Sequence, residues 1–313
     1  MLMAILLRDV VKRYTDRDGT SIAAVDGLTL EVPDGVCMGL LGPNGAGKST
    51  TMRLLTAQSR ADEGTITVLG HEIPREAKQA RALMGVVPQT DNLDEELTVR
   101  QNLEVFARLY RVPRAGVRAA VDRALEIAHL TGRAEARAVN LSGGMRRRLL
   151  VARGLVHSPR LVLLDEPTVG LDPQVRADLW GLIAGLRTSG VTVLMSTHYI
   201  EEAERLADTC ALMSRGKVIA NGSPAELIAD HAGDRVEEHE GDPERLAEVE
   251  GLAQRAGLPT RRTGPTVSVL RAERIPPSLA DTLAGGAHNG HRIVRRAANL
   301  EDVFVVLTGE TVD

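Results

Sequence analysis

The stretch Gly42-Pro43-Asn44-Gly45-Ala46-Gly47-Lys48-Ser49-Thr50 constrains this chain more than any other, because it fits the pattern G-x-x-x-x-G-K-[ST] in the setting that pattern requires. Cys37 to Leu41 before it reads as a buried strand, and Thr51 to Leu55 after it as a helix. The glycines let the backbone wrap a phosphate chain and turn N–H groups inward at the positive end of a helix. Lys48 is placed to reach the β- and γ-phosphates, and Ser49 to put its hydroxyl on Mg²⁺. The chain is therefore expected to bind a nucleoside triphosphate on an α/β framework.

An antiparallel ribbon precedes this loop: Ile5 to Tyr14 reads as one strand, Asp16 to Thr20 as a tight turn, and Leu28 to Val32 as the return. Aromatic residues make up only 2% of the chain, so Tyr14 at the strand's end is a scarce flat surface. It suits stacking on a purine ring or half-burial in a sheet, and the local sequence leaves both open. Beyond the loop, Gly64 to Gly70 is a short strand, and Met84 to Gln89 is a buried strand that Pro88 stops, presenting Gln89 past its end. From Leu97 to about His157 the pattern is helical, with Thr98 and Gln101 spaced as a capping box and Val99, Leu103, Phe106 and Tyr110 on one face.

Leu141-Ser142-Gly143-Gly144-Met145 opens a further helix, where Ser142 is an N-cap and the glycines expose backbone N–H groups, a second potential anion site. The basic run Arg146-Arg147-Arg148 after it reads as a local helix face. Leu161 to Glu166 is an apolar strand ending in two carboxylates. Asp165 is suited to a hydrated Mg²⁺ and Glu166 to aligning a water on the γ-phosphate. Asp172 lies in the following loop, and Val191 to His198 is another buried strand ending in a polar residue. The nucleotide loop, Gln89, Asp165, Glu166 and His198 thus each follow an apolar strand separated by helical sequence. In a parallel sheet, ligands bind at the carboxyl ends of such strands, so these residues should converge on one edge.

Net charge narrows the partners. At −4 over 313 residues there is no global field to hold the chain on nucleic acid or an anionic surface, and none is expected to bind. Cys37 and Cys210 fall in apolar strands without metal-ligand spacing, and the nearest histidines in sequence, His288 and His291, sit in a Gly/Asn-rich turn without acidic neighbours. No apolar run approaches bilayer length, and Met1 to Leu7 lacks a basic leader, so the expected location is the cytoplasm, with any membrane role exerted through a partner.

From Ile5 to about Leu227 these residues resemble an ABC ATPase, with the motifs of that family present in order. The resemblance implies a P-loop ABC ATPase fold: antiparallel β ribbon, parallel-sheet core and a helical subdomain at about 91–158, within an ATPase domain at 1–230. It makes Tyr14 the adenine-stacking aromatic, Gln89 a metal ligand, Leu141 to Met145 the signature, Asp172 part of the D-loop and His198 the switch histidine. Met145 stands where many members carry glutamine. It further implies a homodimer in which two ATP molecules, with Mg²⁺, lie between each nucleotide loop and the partner's signature. Residues 88–94 and the ending 299–309 resemble ATPases of ABC-2 type exporters, both those for antibiotics such as daunorubicin and those for nodulation-type lipo-oligosaccharides. That implies ATP hydrolysis powering a separate transmembrane permease from the cytoplasmic face of the membrane. The alternative, a soluble ABC machine on DNA or ribosomes, usually carries a second cassette or a coiled-coil insertion, and the span between Gln89 and Leu141 is short with no heptad run.

Composition shifts near Ala232, and residues 231–313 contain no lysine and one aromatic, Phe304. Strand-like Arg235–Glu240, helical Pro243–Ala256, strand-like Thr266–Leu270, helical Pro277–Leu283, strand-like Ile293–Arg296 and a final helix carrying Leu300, Val303, Phe304 and Leu307 predict a small α/β accessory domain. Its two open roles are regulation or dimer support, and passive capping of the ATPase.

Overall fold

The computed structural model describes residues 2–15, 19–284 and 291–309. Asp16, Arg17 and Asp18 of the expected turn, and His288, lie outside them. The chain divides into two compact units, Met1–Ile219 and Ala220–Asp313.

The first unit runs β1 (Met3–Thr15), β2 (Ser21–Pro33), β3 (Cys37–Leu41), α1 (Lys48–Leu55), β4 (Glu63–Val68), β5 (His71–Ile73), α2 (Ala77–Ala82) and β6 (Met84–Val87). It continues with α3 (Val99–Leu109), α4 (Val117–Ile127), α5 (Gly143–Leu155), β7 (Leu161–Asp165), α6 (Pro173–Thr188), β8 (Thr192–Thr197), α7 (Ile200–Leu206), β9 (Thr209–Ser214) and the first half of β10 (Lys217–Gly222), a strand that straddles the boundary. One sheet is antiparallel, in the order β2-β1-β4-β5, and the other has the order β10-β9-β3-β8-β7-β6. Within the second, β9, β3, β8, β7 and β6 are mutually parallel.

Those parallel strands are largely apolar because both faces are covered. Along β7, Leu161 and Leu163 face a core shared with Ile5, Leu7 and Leu28 of the ribbon and with Leu54 and Leu55 of α1. Val162 and Leu164, alternating with them, face a second core built with Leu103, Leu125, Leu149 and Leu150 of the helices. Helix α3 starts where its capping box closes: the Gln101 amide donates to Thr98 Oγ1 at 3.1 Å and the Thr98 amide to Gln101 Oε1 at 2.9 Å.

Parallel register then sets the working edge. Leu41 pairs with Thr197, Asp165 with Ser196 and Val87 with Leu164, so β3, β8, β7 and β6 end at one level of the sheet. The loops carrying the predicted polar residues leave from there.

The second unit contains α8 (Pro224–Leu227), β11 (Arg235–Glu240), α9 (Pro243–Arg255), β12 (Thr260–Thr263), β13 (Thr266–Val269), α10 (Pro277–Ala284), β14 (Arg292–Ala297) and α11 (Leu300–Thr308). Its sheet is antiparallel, in the order β12-β13-β11-β14. Val267, Val269, Leu246, Val249 and Leu283 form a core between sheet and helices. In α11, Leu300, Val303 and Phe304 are buried. Among the described residues no helix is long and apolar enough to cross a membrane, and no cluster of three or more His, Cys, Asp or Glu is arranged to hold a metal.

Candidate nucleotide site

Strand β3 is buried along its whole length and delivers the chain into the Gly42–Lys48 loop. Gly42 is required by close approach, since a Cβ there would lie 2.3 Å from the Met213 carbonyl oxygen. Gly47 has φ +105°, and a Cβ on it would lie 2.4 Å from Ala24 O. Lys48 opens α1 and is only 4% exposed. Its ammonium donates to Gly42 O at 2.6 Å and Pro43 O at 3.1 Å, and lies 3.4 Å from Glu166 Oε1. Burial pulls its pKa below the usual lysine range, against the opposing pull of Glu166 and Asp165.

Asp165 ends β7 with its Oδ1 accepting from Ser196 Oγ at 2.6 Å and from Ser49 Oγ at 3.3 Å. Glu166 follows in a left-handed turn, φ +46°. Its amide donates to both the carbonyl and the hydroxyl oxygen of Ser196, each at 3.1 Å. The Glu166 carboxylate is buried, with Oε2 2.7 Å from His198 Nδ1. Lys48, Ser49, Asp165, Glu166 and His198 therefore form one connected cluster at the sheet edge. Ser196, which holds both carboxylate residues, is a member sequence reasoning missed; its signal is a hydroxyl two residues before His198, directly after the apolar run Val193–Met195.

Gln89 lines, with Ser49 and Asp165, a cavity of about 190 Å³. A hydroxyl, an amide and a carboxylate around one such space form an oxygen-rich donor set that fits a hard divalent cation. Tyr14 is 41% exposed at the end of β1, its ring face toward Lys12 Nζ at 5.4 Å and its hydroxyl 3.5 Å from Ser59 Oγ. Ser142 caps α5, its Oγ accepting from the Met145 amide at 3.3 Å; Ser142 and Gly143 are exposed, whereas Gly144 is buried against Val175. Asp172 caps α6 through the Val175 amide at 3.0 Å. No hydrogen bond or ion pair among the described residues joins Tyr14, Ser142, Gly143, Gly144 or Asp172 to the Lys48–Glu166 cluster.

The expectation of a plain basic face at 146–148 is corrected. Arg146 does pair at the surface, with Asp91 at 2.5 Å and Glu95 at 2.8 Å, but Arg147 is buried. Its Nε donates to Pro167 O at 2.5 Å, one terminal nitrogen to Pro88 O at 2.7 Å and Gln89 O at 3.2 Å, the other to Asp165 O at 3.2 Å and Glu166 O at 3.0 Å. Helix phase decides this: Arg147 lies three residues after buried Gly144 and four before buried Val151. Glu202 was likewise not singled out. Fully buried on α7, it accepts from Trp180 Nε1 at 3.2 Å. Burial raises its pKa, and the Trp180 hydrogen bond is among the contacts that oppose the shift.

The histidine reading changes too. His291 is buried, and its partner is His239 of β11, with His239 Nδ1 3.1 Å from His291 Nε2 and the rings stacked. Glu237 lies 3.7 Å from the other His239 nitrogen, so the surroundings include an acid.

The sequence matches the family described as ABC transporter over residues 25–169. It is 43% identical to the Nod factor export ATP-binding protein I of Mesorhizobium japonicum over 99% of this chain and 88% of that protein. To the protein of the same description from Cupriavidus metallidurans it is 44% identical over 99% and 98%. Among solved structures it is similar to a dimeric ATP-binding cassette in a post-hydrolysis state bound to ADP and Pi, with TM-score 0.63, 27% identity and coverage of 70% of this chain and 98% of that one. It is also similar to cbiO1 from Clostridium perfringens, described as part of the ABC transporter complex cbiONQ, with TM-score 0.65, 26% identity and coverage of 82% and 97%.

Proposed function

The chain belongs to the ABC transporter ATPases, and we propose that it is the ATP-hydrolysing subunit of an ABC-2 type exporter, acting on a separate permease from the cytoplasmic membrane surface. The observation that carries this reading is the buried Glu166 carboxylate between His198 Nδ1 at 2.7 Å and Lys48 Nζ at 3.4 Å, which joins a water-activating group to the phosphate-binding lysine. The soluble DNA or ribosome machine has no observation in its favour. Relatives described as Nod factor export proteins, aligned along nearly the whole chain, support a lipo-oligosaccharide or comparably amphipathic cargo.

The chemistry divides among the residues. Tyr14 stacks on the adenine, while the amides of the Gly42–Thr50 loop and the Lys48 ammonium hold the phosphates. Ser49, Gln89 and Asp165 would hold Mg²⁺, whose role is to neutralise charge on the β- and γ-phosphate oxygens. Glu166 accepts the proton of the attacking water, with His198 Nδ1 beside its carboxylate. Ser142, Gly143 and Gly144 serve a second copy: their helix start caps the γ-phosphate in the partner's loop, and Asp172 fixes the neighbouring D-loop. Loss of that shared charge on hydrolysis lets the homodimer open, and the permease follows. We assign residues 1–230 to the ATPase domain, with the helical subdomain at about 91–158, and residues 231–313 to an accessory domain for regulation or dimer support.

Glu166→Gln keeps the side chain's size but removes its ability to take a proton. Purified in ATP and Mg²⁺, this variant should run as a stable dimer in light-scattering chromatography with hydrolysis lost; a monomer would sink the dimer mechanism. Mild-detergent capture from native membranes should bring down a polytopic membrane protein, whereas ribosomal or DNA-bound partners would restore the soluble-machine reading.

A further inference from the structure

Arg147 carries five guanidinium N–H donors, and the five carbonyls it meets lie on two segments: Pro88 and Gln89 past β6, and Asp165, Glu166 and Pro167 past β7. Among the described residues no carboxylate pairs with it directly. The guanidinium is planar and rigid, so a shift of α5 is delivered to both segments at once. Three of those carbonyls bracket Glu166, which sits at φ +46°, a strained conformation for a residue with a side chain that persists only where neighbours over-determine it. On the other side, α5 begins one turn earlier at Ser142, Gly143 and Gly144.

We propose that Arg147 is a positioning residue that locks the Glu166 peptide and the Gln89 backbone to the signature helix, so that a partner's phosphate engaged at Ser142–Gly144 sets the geometry of this copy's own hydrolytic carboxylate. This coupling of the two ATP sites rests on the dimer reading above. Arg147 touches no substrate; it acts by fixing where Glu166 points. Lysine keeps the charge but replaces a five-donor fork with a point donor that cannot span both segments.

The test compares the full-length native chain with Arg147→Lys and Arg147→Met. Steady-state ATPase activity yields kcat, KM and the Hill coefficient for ATP, and equilibrium binding of a fluorescent ATP analogue serves as the fold control. Misplacing a catalytic group by about 1 Å costs roughly 100-fold in rate. The expected result for both variants is kcat lower by roughly 10- to 100-fold, with KM and ATP affinity within about threefold of native and the Hill coefficient brought to about 1 from a higher native value. Activity retained in Arg147→Lys but lost in Arg147→Met would mean that charge alone matters, and would overturn the proposal. Parallel loss of kcat and nucleotide binding would reduce Arg147 to a structural residue and overturn it equally. The double variant Arg147→Lys, Glu166→Gln should still dimerise in ATP and Mg²⁺. If Glu166→Gln with native Arg147 stays monomeric, the dimer reading itself fails and the coupling falls with it. If that variant dimerises while Arg147→Lys keeps native kcat and cooperativity, only the role of Arg147 is lost.

Discussion

Lys48 holds its ammonium against the carbonyls of its own loop and 3.4 Å from Glu166, so one side chain both braces the Gly42–Lys48 loop and faces a buried carboxylate. A hydrogen bond to a charged group contributes about 1.5–3 kcal/mol, so Lys48→Ala should weaken ATP binding by roughly 10- to 100-fold, measured by titration with a fluorescent ATP analogue. Native affinity in that variant would take Lys48 out of the phosphate site. Residues of this kind were legible because their chemistry is local: glycine, lysine and serine must be consecutive for one loop to wrap one phosphate chain. Arg147 was not. Three adjacent arginines differ only in helix phase, and the burial of the middle one depends on where α5 lies against two strand exits remote in sequence. Ser196 and Glu202 escaped for a related reason, since their partners come from other strands and helices.

Strand β6 and helix α5 touch through backbone. A Cβ on Gly85 would lie 2.2 Å from Gly154 O, and one on Gly154 would lie 3.2 Å from Val87 Cγ2. Gly85→Ala must push helix from strand, and overpacking of this kind costs about 1–3 kcal/mol. Chemical denaturation should show that loss, and ATPase activity should fall with it because Gln89 leaves the same strand two residues beyond Val87. An unchanged midpoint would mean the contact relaxes freely. The parallel strands were legible as apolar runs, and α3 and α5 from their caps. β12 was not, because Thr260-Arg261-Arg262-Thr263 has neither apolar alternation nor an apolar run, and pairs with β13 by backbone alone in register. The three-residue β5 is too short to carry any periodicity.

At the scale of the whole molecule, the second unit carries a built-in acid sensitivity. His239 in the second unit is fully buried, and burial, with His291 and neighbouring arginines, drives its pKa down to about 4 while Glu237 opposes the shift. The unfolded chain takes up this proton near pH 6.5 and the folded unit only near pH 4, so stability is complete above 6.5 and is lost as pH falls between those values. The loss is on the order of 3 kcal/mol at most. Protection factors of the amides in β11 and β14, with the intrinsic pH dependence of exchange divided out, should fall between pH 6.5 and 4, and His239→Gln should flatten that dependence; the same slope in the variant would assign it to other groups. The pairing was invisible in the sequence, since 52 residues separate the two histidines and only antiparallel pairing of β11 with β14 brings them together. Cys37 and Cys210 are fully buried, with burial pushing both thiols up to about 12. At neutral pH almost no thiolate exists to meet a maleimide or a nitroxide reagent. The native sequence is therefore its own unreactive background: a single cysteine introduced on the surface becomes the one labelling point on the chain, and a probe there can follow ATP binding without altering the interior.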